Sequence, residues 1–179
     1  MLKILDEACT PKRGTKYSAY VDLFAREDVI IGAGETKIVK LGVKLDLDKL
    51  KENMTKYSML SSIKSNEIFD LLCKRHYLEV ALRSSLGVKG LIIANGIGII
   101  DLDYPNEISL IVHNPTKIAY ERAEDTSGYV ECDDIFIINK GDKVAQCTLK
   151  EHKGYLMGVD TEEKRTGGFG STDKWLRSI

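Results

Sequence analysis

The sequence predicts an all-β chain, a barrel or jelly roll interrupted once by helix. Three observations predict it. Most of the chain divides into short apolar or alternating runs rich in β-branched residues, the pattern of strands that bury one face. Gly, Asn, Asp or Pro stands at nearly every junction, as at Gly34, Gly87, Gly141 and Pro105-Asn106, and these are the residues that turns demand. The strand-like runs do not alternate with helical ones, so a barrel or jelly roll fits them best.

The expected strands, in order, are AYVDLFA (19–25), TKIVKLGVKLDL (36–47), YLEVALRS (77–84) and LIIANGIGII (91–100). ISLIVHN (108–114), DIFIINKGDKVAQCTL (134–149) and YLMGV (155–159) continue the series. GIGIIDLDYPNEISLIV (96–112) reads as a β-hairpin whose connection holds Asp101, Asp103, Tyr104 and the Pro-Asn turn.

Residues 46–76 break the pattern. Leu50, Met54 and Tyr57, then Ile68, Leu71 and Leu72, fall at helical spacing, and Asp48 and Asn66 are suited to cap two short helices. The Lys, Glu and Asp residues between them would solvate the outer faces. The segment is therefore a helical insertion at about 48–75 whose expected role is packing. A lid over a ligand and a surface for a protein partner are the functional alternatives.

Bulk properties narrow the class. A chain of 179 residues suits one domain. With 43% hydrophobic and 30% charged residues it has the composition of an ordinary soluble globular protein. A formal net charge of −1 argues against a general nucleic-acid binder, while leaving room for a basic cluster that holds a phosphorylated ligand. There is no apolar run of about 18 residues, so no membrane span is expected. The opening MLKILDEACTPKRG lacks the apolar core of a secretory signal. Cys9, Cys73, Cys132 and Cys147 form no CxxC pair, which fits reduced thiols and a cytoplasmic location better than a zinc site or a disulfide framework.

The stretch LRSSLGVKGLIIANGIGIIDLDYPNEISL (82–110) is strand-like, yet hydrogen-bonding groups interrupt it. Asn95 offers a donor and an acceptor on one amide, which suits a planar pyrimidine edge. Alone, Asn95 and the aspartates would more simply satisfy turn backbone. Three further segments accompany them: RSSLG upstream, GDKVAQ downstream, and GGFGST in the tail EEKRTGGFGSTDKWLRSI (162–179). That tail offers backbone N–H groups and cations to an anion, while its glycines cost ordering entropy.

This ordered set resembles the trimeric deoxyuridine triphosphatases, the dUTP pyrophosphatases or dUTPases. SAYVDL (18–23) is similar to the first family motif, RSSLG (83–87) to the second, NGIGIIDLDY (95–104) to the third, GDKVAQ (141–146) to the fourth and GGFGST (167–172) to the fifth. The resemblance covers most of the chain apart from the helical insertion. It implies a distorted jelly-roll β-barrel of the β-clip kind, with residues 1–160 as a nucleotide-binding barrel carrying the insertion. Residues 161–179 would be a flexible arm that closes a neighbouring active site. It also implies a homotrimer with three shared sites, dUTP as substrate, and dUMP and pyrophosphate as products.

Carried over residue by residue, the resemblance makes Asp101 the general base that orients and deprotonates a water for attack on the α-phosphorus. An aspartate is ionised at neutral pH, and so weak a base works only when the reacting atoms are well placed. Asn95 and the backbone around Ile99 and Ile100 would read uracil, Tyr104 would exclude a 2′-hydroxyl, and Phe169 would stack on the base. Arg83, Ser84, Ser85 and Gln146 would hold phosphates, together with Lys164 or Arg165, Gly170, Ser171 and Thr172 from the arm. Mg2+ would be held by the phosphates, with Asp22 supporting it through water.

The sequence departs from the family pattern in places. Leu82 stands where proline is common, Tyr20-Val21 where Gly-Tyr is usual, Pro105-Asn106 where Arg-Gly is common, and Asp173 where glycine is common. Only Thr166 separates Arg165 from the glycine pair, so either Lys164 or Arg165 takes the place of the family arginine. The related dCTP deaminases share the RSS motif but carry a catalytic Glu in the following strand, near the position of Ile111 here. Deamination is therefore disfavoured. A binding protein with nucleotide as its switch is the remaining rival, and Asp101 argues against a purely non-catalytic role.

Overall fold

The computed structural model describes residues 1–57, 66–116, 119–122, 129–132, 135–159 and 167–168; for 57, 66, 119–122 and 129–132 it describes the backbone alone. The chain begins with β1 (Leu2–Ile4), β2 (Lys12–Arg13), β3 (Val21–Phe24), β4 (Val29–Ile31) and β5 (Thr36–Leu45). Helices α1 (Leu47–Tyr57) and α2 (Asn66–Cys73) follow, then β6 (His76–Leu82), the short α3 (Ser84–Gly87), β7 (Ile92–Ile93) and β8 (Gly98–Asp101). β9 (Glu107–His113), β10 (Ala119–Arg122), β11 (Tyr129–Cys132), β12 (Phe136–Ile138) and β13 (Lys143–Glu151) complete the strands.

The strands form a sheet of order β1-β5-β9-β7, a sheet of order β2-β3-β13-β6-β8, and the two-stranded pairs β4-β12 and β10-β11. Every pairing among the described residues is antiparallel. One apolar cluster joins the two larger sheets: Val39, Leu41 and Val43 of β5 and Ile108, Leu110 and Val112 of β9 share it with Leu23, Leu78, Val80 and Cys147. Along β9 the buried residues alternate with half-buried Glu107, Ser109, Ile111 and His113, the period-2 pattern of a strand covered on one face. Each such side chain contributes about 1.5–3 kcal/mol when taken fully out of water. The result is the jelly-roll type of fold expected from the sequence.

The helical insertion is present, with two corrections. Asp46, not Asp48, caps α1: its Oδ1 accepts the Lys49 N–H at 2.9 Å, while Asp48 lies within the first turn. Leu50 is buried, as expected of a packing stripe, but Ile68 and Leu71 of α2 are exposed at 38% and 53%. Asn66 is the first residue of α2. None of the described helices is long and apolar enough to cross a membrane.

Five further expectations fail. The runs 91–100 and 134–149 are each two strands in different sheets, β7 and β8 in the first and β12 and β13 in the second. YLMGV at 155–159 is no strand: Gly154–Met157 form a 3-10 turn, closed by Gly158 at φ +68°. All of those side chains are exposed, so their strand-forming character has no buried face to act on. The run 77–84 ends as strand at Leu82, because Ser84 and Ser85 begin α3. Nor is 96–112 a hydrogen-bonded hairpin. β8 pairs with β6, and β9 with β5 and β7, so the connection carries the chain from one sheet to the other. Buried Leu102 and Tyr104 anchor that crossing.

Candidate active site

The crossing between the sheets builds the first part of the site. Gly98 lets β8 press against β6, since a Cβ there would come within 3.1 Å of both Val80 Cβ and the Val80 carbonyl oxygen. After β8 ends at Asp101, the Tyr104 N–H donates to the Asp101 carbonyl at 3.0 Å. That bond folds Tyr104, 7% exposed, back beneath the strand. Ile93, Asn95, Ile99, Ile100, Tyr104 and Gly168 then line a cavity of about 210 Å3. An apolar cavity of roughly 150 Å3 accepts one benzene ring, so this one suits a single six-membered heterocycle. Asn95 stands at its mouth, exposed, in the turn that Gly96 completes at φ +76°.

Gly168 closes against the same phenol. A Cβ on Gly168 would lie 2.7 Å from Tyr104 Cε2, so only glycine fits this approach. Lys164, Arg165, Phe169, Gly170, Ser171 and Thr172 lie outside the described residues.

The second part is polar. Asp22, Arg83, Lys143, Gln146, Ser18 and Tyr20 are among the residues around a cavity of about 360 Å3. Asp22, 5% exposed, accepts the Arg83 guanidinium on Oδ1, and its Oδ2 lies 3.3 Å from Lys143 Nζ. Gln146 faces Asp22 across the β13–β3 ladder. Two cations held by one buried carboxylate leave a net positive surface, the chemistry that receives a phosphate. Ser84 and Ser85 are exposed on α3 beside Arg83 and do not border this cavity.

Lys143 is the residue that sequence reasoning passed over, although it sits inside GDKVAQ. Three residues apart on a regular strand, Lys143 and Gln146 would face opposite ways. The register shifts between Lys143 and Ala145, and this irregularity brings both to one cavity.

Asp101 is exposed at the end of β8 and is paired in register with Tyr77 of β6. It also borders a larger cavity, about 830 Å3, between α2 and the 101–103 turn, together with Phe69, Cys73, His76 and His152. The insertion thus lies beside the candidate base.

The two parts are far apart within one chain. From Asp22 on β3 to Asp101 on β8 there are three strand-to-strand steps, and the Ala81 row lies four residues along β6 from the Tyr77 row. At about 4.8 Å per step and 3.3 Å per residue the separation is roughly 20 Å.

Among the described residues no group of three or more His, Cys, Asp or Glu side chains could hold a metal ion. Asp22 has both oxygens engaged by cations, but a carboxylate offers about four lone-pair sites. It can therefore still accept hydrogen bonds from water. Cys9 and Cys147 are buried thiols and Cys73 is half-buried, with no disulfide among these. Burial pushes the Cys147 thiol up to about 12, which leaves it unreactive.

The chain matches no protein-family model. A deoxyuridine 5′-triphosphate nucleotidohydrolase of Rickettsia canadensis is 30% identical to it over 169 residues, covering 90% of this chain and 86% of that one. The crystal structure of a dUTPase from Streptococcus mutans superposes with a TM-score of 0.54 at 23% identity, covering 84% of this chain and 94% of that one. A mutant dUTPase from phage phi11 of S. aureus, described with a structural Mg(II) ion, gives a TM-score of 0.56 at 18% identity, covering 95% and 97%.

Proposed function

The chain belongs to the deoxyuridine 5′-triphosphate nucleotidohydrolase (dUTPase) family, and from that premise we propose how its own residues divide the hydrolysis of dUTP. Uracil enters the cavity between Asn95, Ile99 and Tyr104. The Asn95 amide and the β8 backbone read its donor and acceptor edge. Cytosine presents the wrong pattern and leaves groups unpaired, at about 1–3 kcal/mol per group. Tyr104 packs under the deoxyribose and excludes a 2′-hydroxyl.

Arg83, Lys143 and Gln146 receive the phosphate chain, with Ser84 and Ser85 beside them. Lys164 or Arg165, Ser171 and Thr172 add contacts from the arm, with Phe169 stacking on the base and Gly170 leaving room for it. Mg2+ bound to the phosphates would neutralise part of their charge and stabilise the leaving pyrophosphate. Asp22 would accept hydrogen bonds from its water shell. Asp101 accepts the proton of a water that attacks the α-phosphorus in line. The bond from that phosphorus to the α,β-bridging oxygen breaks, giving dUMP and pyrophosphate.

The observation that carries this reading is a ring-sized cavity walled by Asn95, Ile99, Ile100 and Tyr104, with Asp101 next in the chain after Ile100. A span of roughly 20 Å between Asp101 and Asp22 is too long for one compact site, by the same strand spacings. It supports a site shared between subunits, as in the homotrimer that the family resemblance implies, in which the base of one subunit meets the phosphate cavity of the next. The test is pyrophosphate release from dUTP, dCTP, dTTP and UTP with magnesium, for the wild type and Asp101→Asn. Selective dUTP turnover that collapses in the variant is expected. Full activity of the variant, or equal turnover of all four nucleotides, would overturn the assignment.

A further inference from the structure

Glu79 is a buried carboxylate for which the reaction above has no use. It sits in the middle of β6 at 7% exposure and accepts the hydroxyls of Tyr20 and Tyr77, the latter at 3.0 Å. Lys150 Nζ lies 3.8 Å away. A buried position filled only for packing would not carry an acid, because burying a carboxylate is costly unless its lone pairs are satisfied. Here two phenols and an ammonium satisfy it.

The places of the two phenols give the group its meaning. Tyr77 is the cross-strand partner of Asp101, so the two side chains leave the same face of the sheet with Cβ atoms about 5 Å apart. The Tyr77 hydroxyl is tied to Glu79, and the His152 ring lies against the phenol at 6.1 Å between centroids. The ring is therefore a fixed wall beside Asp101. Tyr20 precedes β3 by one residue and borders the cavity of Asp22, Arg83 and Lys143. To reach Glu79 its phenol spans β13, which lies between β3 and β6.

We propose that Glu79 is a positioning residue that braces the two contributions its chain makes to neighbouring active sites, holding Tyr77 beside the base of one and Tyr20 at the wall of the phosphate cavity of the other. The proposal rests on the reading of Asp101 as the base. Asp101 gains from such a wall because proton transfer to a weak base depends on orientation.

The test is steady-state kinetics of Glu79→Ala, Tyr77→Phe and Glu79→Gln with dUTP, with a melting temperature for each. Glu79→Ala should lower kcat about tenfold and Tyr77→Phe several-fold, with KM within about twofold of wild type, the signature of an effect confined to the transition state. Glu79→Gln should recover most of kcat, since its amide oxygen accepts one hydroxyl and its N–H donates to the other. Lower melting temperatures with wild-type kcat, or KM rising while kcat holds, would overturn the proposal. If Glu79→Ala does not fold, Tyr77→Phe decides, because it removes one oxygen atom. Asp101→Asn run alongside separates the two ideas: activity retained there sinks the base itself, whereas a bystander Glu79 leaves the base in place.

Discussion

Asp22 of β3 forms an ion pair with Arg83, the residue between β6 and α3, with the aspartate 5% exposed and the guanidinium at a cavity. Lys143 shares the second oxygen of that carboxylate at 3.3 Å. The acid therefore holds two cations in place before any phosphate arrives. Fixing them in advance lowers the ordering cost at binding.

Lys143 has a half-exposed side chain, 52%, so its pair with Asp22 adds little to stability. Its effect should be on the nucleotide. Lys143→Met is expected to raise KM for dUTP about tenfold, equivalent to roughly 1.4 kcal/mol, with the melting temperature nearly unchanged. Initial-rate kinetics and a thermal melt check both halves. A large loss of stability with unchanged KM would place Lys143 outside the phosphate site.

Gly168 has no room for a side chain, because its Cβ would meet Tyr104 Cε2 at 2.7 Å. Gly168→Ala should therefore lift this backbone off the phenol. Overpacking of this kind costs about 1–3 kcal/mol, which here should appear as a loss of roughly tenfold in kcat/KM and not as a lower melting temperature. Wild-type kcat/KM in the variant would show that the contact is incidental.

Glu79 gives the protein an acid-sensitive element. The Tyr20 hydroxyl, followed by that of Tyr77, holds its carboxyl below the ordinary 4.5 against the opposing effect of burial. A carboxyl whose folded value is depressed stabilises the fold above its unfolded value, and that stability is lost as pH falls through the folded one. The melting temperature of the wild type should therefore drop below about pH 4.5 more steeply than that of Glu79→Gln. Other depressed carboxyls, Asp6 and Glu35, are common to both proteins, so the difference between the two curves is the reading. Parallel curves would remove Glu79 from the account.

Much of the fold was legible because one-sided burial writes itself into alternation. β9 shows it in every residue, and 36–45 and 143–151 contain the same pattern within the predicted runs. What the sequence concealed lies where no face is buried or where register slips. β2 is too short to carry a period, and 155–159 has strand-forming residues with nothing to cover them. The pairing partner of β8 could not be read either, since a turn between two strands does not reveal whether they share a sheet. For the site, Asn95, Ile99, Ile100 and Tyr104 come together as a sequence motif implied, being close in the chain. Asp22, Arg83 and Gln146 also meet, through pairing across three strands. Lys143 needed the β13 irregularity to join them, and the Tyr20–Glu79–Tyr77 group spans three strands with no local signal.

The central claim is that Asp101 of one subunit works on a nucleotide held by Arg83 of another. It is tested most directly by co-expressing Asp101→Asn and Arg83→Ala chains, each inactive alone, with different tags to isolate mixed assemblies. In every mixed trimer with sites shared between neighbours, one of the three sites brings an intact Asp101 to an intact Arg83, so the isolated mixed assemblies should recover about a third of wild-type dUTPase activity. Mixed assemblies that stay as inactive as their parents would contradict the account and confine both residues to sites within a single chain.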